Sequence, residues 1–147
     1  MTSWWTPERL EFLEAEAISW IGTPFASNSC SKGDGVSCAK LCGALYTSAG
    51  FEGIEVPDGQ TSHARYNQES IITPFFDNHP AFVSVDVNDR IPGDVLGFRI
   101  GKCVHHMGIL LSLNRFIHSC DHIGVVISMT NDATWLSRLS NVWRPKA

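Results

Sequence analysis

Long hydrophobic runs are missing from this chain. No apolar stretch approaches the roughly 18 residues that a membrane span requires. Basic residues are few, 11 Lys and Arg against 15 Asp and Glu, for a formal net charge of −4. Without a basic block there is no electrostatic footprint for nucleic acid, and neither nucleic acid nor membrane is an expected partner. The N-terminal "MTSWWTPERLEFLEAEA" lacks a basic segment followed by an apolar one, so it does not read as a signal peptide. The expectation is a protein made in the cytoplasm that stays there or leaves by a non-classical route. Cysteine is scarce and odd in number, at 5, which argues for reduced thiols and against a disulfide framework. Cys30, Cys38 and Cys42 lack the C-x-x-C spacing of a structural zinc site, and no metal is expected. Repeats, low-complexity tracts and linkers are absent too. The 147 residues read as a single domain, 1–147, long enough to build its own core.

What is present is ordinary globular patterning, 44% hydrophobic and 18% charged. Thr6-Pro7-Glu8 reads as a helix start: a Thr cap, Pro at the first position and an acid in the first turn. Leu10, Leu13, Ala17, Ile18 and Ile21 recur at helical spacing, and Gly22-Thr23-Pro24 ends the run. Phe25 to Val36 reads as a loop. Ser37 is placed to cap a second helix, Cys38 to Ala49, stopped by Gly50. Val56-Pro57-Asp58-Gly59 reads as a turn, and a short helix is expected over Ser62 to Ser70. From Ala81 the period changes to that of strands. "AFVSVDV" alternates, and "GDVLGFRI" follows a turn at Pro92-Gly93. "HMGILLS" and "RFIHSC" form a hairpin through Leu113-Asn114, and "GVVISM" follows. "NDATWLSRL" offers a capped short helix, and "NVWRP" a closing edge strand. Helices first and strands second imply an α+β fold with an antiparallel sheet.

The candidate chemistry centres on "GDGVSCAKLCGALYTSAGF". A thiol on Cys38 would sit at a helix N-terminus. Unpaired N–H groups and the dipole there favour a thiolate and could also stabilise an oxyanion. Cys42, one turn further in, has apolar neighbours and reads as packing. A nucleophile needs a base, and the base an orienter. The hairpin brings His106 and His118 within a cross-strand or diagonal step, which makes a Cys38-His106-His118 set possible. His105, adjacent to His106, faces the other side of a regular strand. His63, His79 and His122 read as surface residues, Cys103 and Cys120 as packing, and "WW" as a lid on the core.

These residues resemble the NlpC/P60 cysteine peptidases of the papain-like superfamily. "WIGTPF" resembles the family's G-T-P-Y entry, and "KGDGVSCAKLCGALYTSAGF" its catalytic-cysteine helix. "IPGDVLGF" resembles its P-G-D strand entry, "HHMGILLSLNRFIHS" its histidine hairpin, and "GVVISMTNDATWLSRL" its closing segment. The resemblance implies a cysteine-bearing helix packed on an antiparallel sheet of about five or six strands. It implies Cys38 as nucleophile, His106 as base and His118 as third residue, with hydrolysis of amide bonds in peptidoglycan stem peptides and no cofactor. Its substrate-contacting positions fall on Phe25, Ser37, Ala39 and Lys40. The family often has Asp-Cys-Ser-Gly where this chain has Ser37-Cys38-Ala39-Lys40, so a requirement for a free N-terminal L-Ala is not implied. Phe25 replaces a Tyr hydroxyl. Lacking a recognisable wall-binding module, the sequence is similar to compact peptidases encoded with phage tails or gene-transfer particles, and a particle component is an expected partner. The alternatives are a same-fold hydrolase or acyltransferase on a non-wall amide or ester, and a catalytically weak tail-assembly protein.

Overall fold

The computed structural model describes residues 2–57 and 69–147. Asp58 and Gly59 of the expected turn, most of the expected helix at Ser62 to Ser70, and His63 and Tyr66 lie outside them. Helix α1 spans Pro7–Trp20, and the Thr6 side chain accepts from the Arg9 amide as expected. Leu13, Ala17 and Trp20 of α1 are buried. Ile18 and Ile21, expected on the same face, are 53% and 46% exposed. The buried stripe follows 13, 17 and 20, and Ile18 lies a full residue step round the helix from Ala17.

The expected loop from Phe25 to Val36 contains a small hairpin of β1 (Cys30–Ser31) and β2 (Gly35–Val36). Helix α2 spans Cys38–Ser48, and the Ser37 Oγ accepts from the Lys40 amide at 3.2 Å. Gly50, at φ 99°, takes the left-handed backbone that ends it. Helix α3, Ile72–Asp77, was not legible in the sequence. It is short, contains Pro74, and has no side-chain cap at Ile71, though the Ser70 Oγ just before it accepts from the Thr73 amide. Phe76 of α3 is buried and stacks on Trp143.

The strands are β3 (Phe82–Val85), β4 (Val95–Ile100), β5 (Cys103–Leu110), β6 (Arg115–Cys120), β7 (Gly124–Met129) and β8 (Leu139–Pro145). Helix α4, Ala133–Arg138, precedes β8 and is capped by Asp132. "AFVSVDV" leaves extended geometry after Asp86, whose carboxylate accepts from the Asn88 amide and starts a 3₁₀ turn over Val87–Asp89. One six-stranded antiparallel sheet runs β3-β8-β4-β5-β6-β7. The expectation of β8 as an edge strand is therefore corrected. Val142 and Trp143 are both 0% exposed, so the strand is covered on both faces, as an interior strand is.

Two apolar layers flank the sheet. On one face Leu41, Cys42 and Leu45 of α2 join Val95, Met107, Ile109, Ile117 and Val125. On the other, Leu96, Phe98, Leu110, Phe116 and Val142 pack with Trp135 of α4. Trp4 and Trp5 stack edge-on with Phe51 and Tyr46, so "WW" does close the core. At Gly93, φ 94°, a Cβ would lie 2.2 Å from Trp5 Cδ1, so only glycine allows that turn. The next residue, Asp94, is fully buried and accepts Arg144 Nε at 3.0 Å and Nη2 at 2.9 Å, plus the Ile91 amide at 2.8 Å. Burial pushes the Asp94 carboxyl up and the Arg144 bond opposes that rise, while the same bond raises Arg144. This pair locks the start of β4 to the end of β8.

Candidate active site

Cys38 is the first residue of α2 and is half-buried. Its position follows from the local sequence. Gly35 lets β2 approach Ala26, whose Cβ would lie 2.7 Å from an added Cβ, and Ser37 then starts the helix. The strand before it is anchored twice. Val36 donates to Pro24 O at 3.0 Å, and Ser119 Oγ donates to Val36 O at 2.7 Å. Ser119 is adjacent to His118, so the chain entering α2 is tied to the strand bearing that histidine. Neither anchor was read from sequence, because both are long-range. Helix α2 itself packs on β5 and β6.

His106 and His118 are brought together. His106 Nε2 lies 2.7 Å from His118 Nδ1. The observed pairs are Ile109 with Ile117 and Leu110 with Phe116, so this register sets the two histidines diagonally across the strands. His118 Nε2 lies 2.8 Å from Ser128 Oγ on β7. Trp135 lies edge-on to His118, centroids 4.8 Å apart, and 5.6 Å from His106. His105 and His106 part company at an irregularity. Phe98 pairs with His106 and Arg99 with Val104, leaving His105 as the extra residue of a bulge. Both rings share the sheet face of Phe98, Phe116 and Trp135, opposite the layer covered by Leu41 and Leu45 of α2.

Burial sets the charge state of this pair. His118 is 0% exposed, and desolvation lowers its pKa to about 4. Desolvation, followed by the proximity of His118, lowers His106 well below the usual imidazole value. Both rings are neutral at pH 7. A folded pKa below the unfolded 6.5 means that the unfolded chain binds the extra proton first. Stability is thus fully present above pH 6.5 and lost as pH falls toward 4. His118 alone accounts for about 3 kcal/mol of this loss. Urea midpoints for wild type should drop steeply between pH 7 and 4.5. The drop should be shallower for His118→Gln, and equal slopes would contradict a buried neutral His118.

The other expected positions are placed as follows. Phe25 is half-buried and forms an isolated bridge with Val36. Ser37 is buried and Ala39 is 3% exposed. Lys40 is half-buried, and with Ala39, Cys30, Ile54 and Glu55 it lines a cavity of about 320 Å³ along α2. Cys42 is fully buried, and desolvation holds its thiol well above the usual range. Cys103 and Cys120 are half-buried. His122 is exposed in the β6–β7 turn, as expected. His79 lies in a loop, as expected, and is half-buried there: its Nε2 lies 3.0 Å from Gly53 O, and its Nδ1 accepts from the Ala81 amide. Among the described residues no group of three or more His, Cys, Asp or Glu side chains is placed to hold a metal, and no helix is long and apolar enough to cross a membrane.

A thiol-tipped helix packed on an antiparallel sheet that carries a buried histidine pair makes an α+β domain. The chain belongs to the NlpC/P60 family, whose profile matches residues 22–144. A stretch of 61 residues is 34% identical to the murein DD-endopeptidase MepS/murein LD-carboxypeptidase of Escherichia coli K12. That match takes in 42% of this chain and 32% of the relative, so the chain spans only part of its curated relative's length. Among solved structures, a lipoprotein-like NLP/P60 protein of Staphylococcus aureus superposes with TM-score 0.69 at 23% identity, over 97% of this chain and 43% of that one. The peptidoglycan hydrolase RipB of Mycobacterium tuberculosis superposes with TM-score 0.60 at 15% identity, over 93% and 64%. At these identities the structures establish the shared fold.

Proposed function

We propose that the protein is a cysteine hydrolase cleaving amide bonds in peptidoglycan stem peptides, with Cys38 as nucleophile, His106 as base and His118 as orienter. The observation that supports this reading is the buried His106–His118 hydrogen bond, on the two strands whose other face carries the helix that begins at Cys38. His106 Nε2 is engaged by His118, which leaves Nδ1 for the thiol. The S–H proton passes to Nδ1, and sulfur attacks the amide carbonyl. The oxyanion is held by N–H groups at the start of α2. His106 returns the proton to the leaving amine, and water, deprotonated by His106, then releases the acid and regenerates the thiol.

The substrate class rests on family membership and on the murein endopeptidase likeness of the aligned stretch. Purified sacculi incubated with the protein should release stem peptides detectable by mass spectrometry, and Cys38→Ala should release none. No release by wild type would remove the cell-wall assignment. An acyl group trapped on Cys38 from a non-wall amide or ester would replace it.

A further inference from the structure

The hydrogen-bond chain does not stop at His118. From His106 Nε2 it runs 2.7 Å to His118 Nδ1, and from His118 Nε2 it runs 2.8 Å to Ser128 Oγ. We propose that Ser128 is a positioning residue, the terminal acceptor that holds His118 as its Nε2–H tautomer and thereby holds His106 with a bare Nδ1. The proposal rests on the reading of His106 as the base.

Proton counting fixes the polarity of the chain. A neutral imidazole carries one N–H and one lone pair. For His106 Nδ1 to take a thiol proton, its existing proton must be on Nε2. That N–H then donates to His118 Nδ1. His118 must therefore carry its own proton on Nε2, which needs an acceptor. Ser128 Oγ is within reach. After proton transfer from sulfur, His106 holds protons on both nitrogens, and Nε2–H still donates to His118 Nδ1. No proton moves onto His118, and the serine contact persists in both states. Run the other way, with Ser128 donating to His118 Nε2, the chain leaves His106 Nδ1 protonated and unable to act as a base. A hydroxyl at this place serves the productive direction, whereas a lysine ammonium, with donors only, would enforce the wrong one.

The placement has a structural origin. His118 pairs with Val126 across β6 and β7, so Ser128 is its diagonal neighbour on the same face. His118 is fully buried, so loss of the acceptor leaves an N–H without solvent compensation. Ser128 itself is half-buried on the edge strand β7, so its truncation opens no core cavity.

The test combines nitrogen-15 NMR of the imidazoles with kinetics on sacculi. In wild type at pH 7, both histidines should show protonated Nε2 and bare Nδ1. In Ser128→Ala, the His118 and His106 signals should move toward tautomer averaging. The kcat should fall about 10-fold at unchanged KM, part of the roughly 10²–10⁴ a general base supplies. Ser128→Thr should restore both readouts. A wild-type His118 protonated on Nδ1, or unchanged tautomers and kcat in Ser128→Ala, would overturn the assignment. The NMR readout requires no substrate. If wild type shows the stated tautomers but sacculi stay intact, the cell-wall reading falls and the role of Ser128 stands.

Discussion

Cys38→Ala should abolish hydrolysis, by at least ~10³-fold, since a nucleophile has no substitute within its own site. Melting should change by less than about 1 kcal/mol, because the side chain is only half-buried and the change removes a single atom. Cys42→Ser, one turn along the same helix, should do the reverse. Its thiol is 0% exposed among Leu41, Leu45 and the sheet, so a hydroxyl there costs about 1–3 kcal/mol. Activity per folded molecule should persist. The pair of variants separates chemistry from packing: urea titration reads one axis and peptide release the other. Comparable loss of activity in both proteins, with both folded, would contradict the division between the two cysteines. So would full activity in Cys38→Ala.

The largest stability effect is expected at the Asp94–Arg144 pair. Asp94 is 0% and Arg144 is 4% exposed, and two hydrogen bonds join them side by side. Asp94→Ala leaves a guanidinium in the interior without its carboxylate partner, the Asp89 carbonyl being its remaining hydrogen-bond acceptor among the described residues. The cost should be about 3–5 kcal/mol, a large share of the stability of a domain this size. Arg144→Met leaves the converse, a buried carboxylate. The double substitution Asp94→Ala with Arg144→Met should recover much of the loss, because the uncompensated charge goes with it. Denaturant unfolding of the three proteins forms a double-mutant cycle. A single substitution costing under about 1 kcal/mol, or strictly additive losses, would mean that the pair is not coupled as its geometry indicates.

What could be read from sequence was what is decided nearby. The Ser37 cap and the Gly50 stop bound α2, and both act within one turn of the residues they define. The hairpin placing His106 against His118 is likewise a matter of a few residues. The pieces that escaped were settled at a distance. Pairing with both β3 and β4 puts β8 inside the sheet, and a closing strand does not reveal its neighbours. The loop position of His79 was legible, but its partner, the Gly53 carbonyl 26 positions away, was not. Ser128 had a parity signal, two residues beyond the partner of His118, but using it required the β6–β7 register. Helix α3 carries too few residues for a period to show.

The position of β8 bears on how the molecule is made. During synthesis β4, β5, β6 and β7 emerge in succession and can zip together as neighbours, histidine hairpin included. Strand β3, though made earlier, has no partner among them, and among the described residues its ladder is to β8. Until β8 leaves the ribosome, β4 presents an unpaired edge and β3 has none to join, the state in which strands stick to other chains. One late segment, tied to the start of β4 by the Arg144–Asp94 pair, joins two separated pieces into a single sheet.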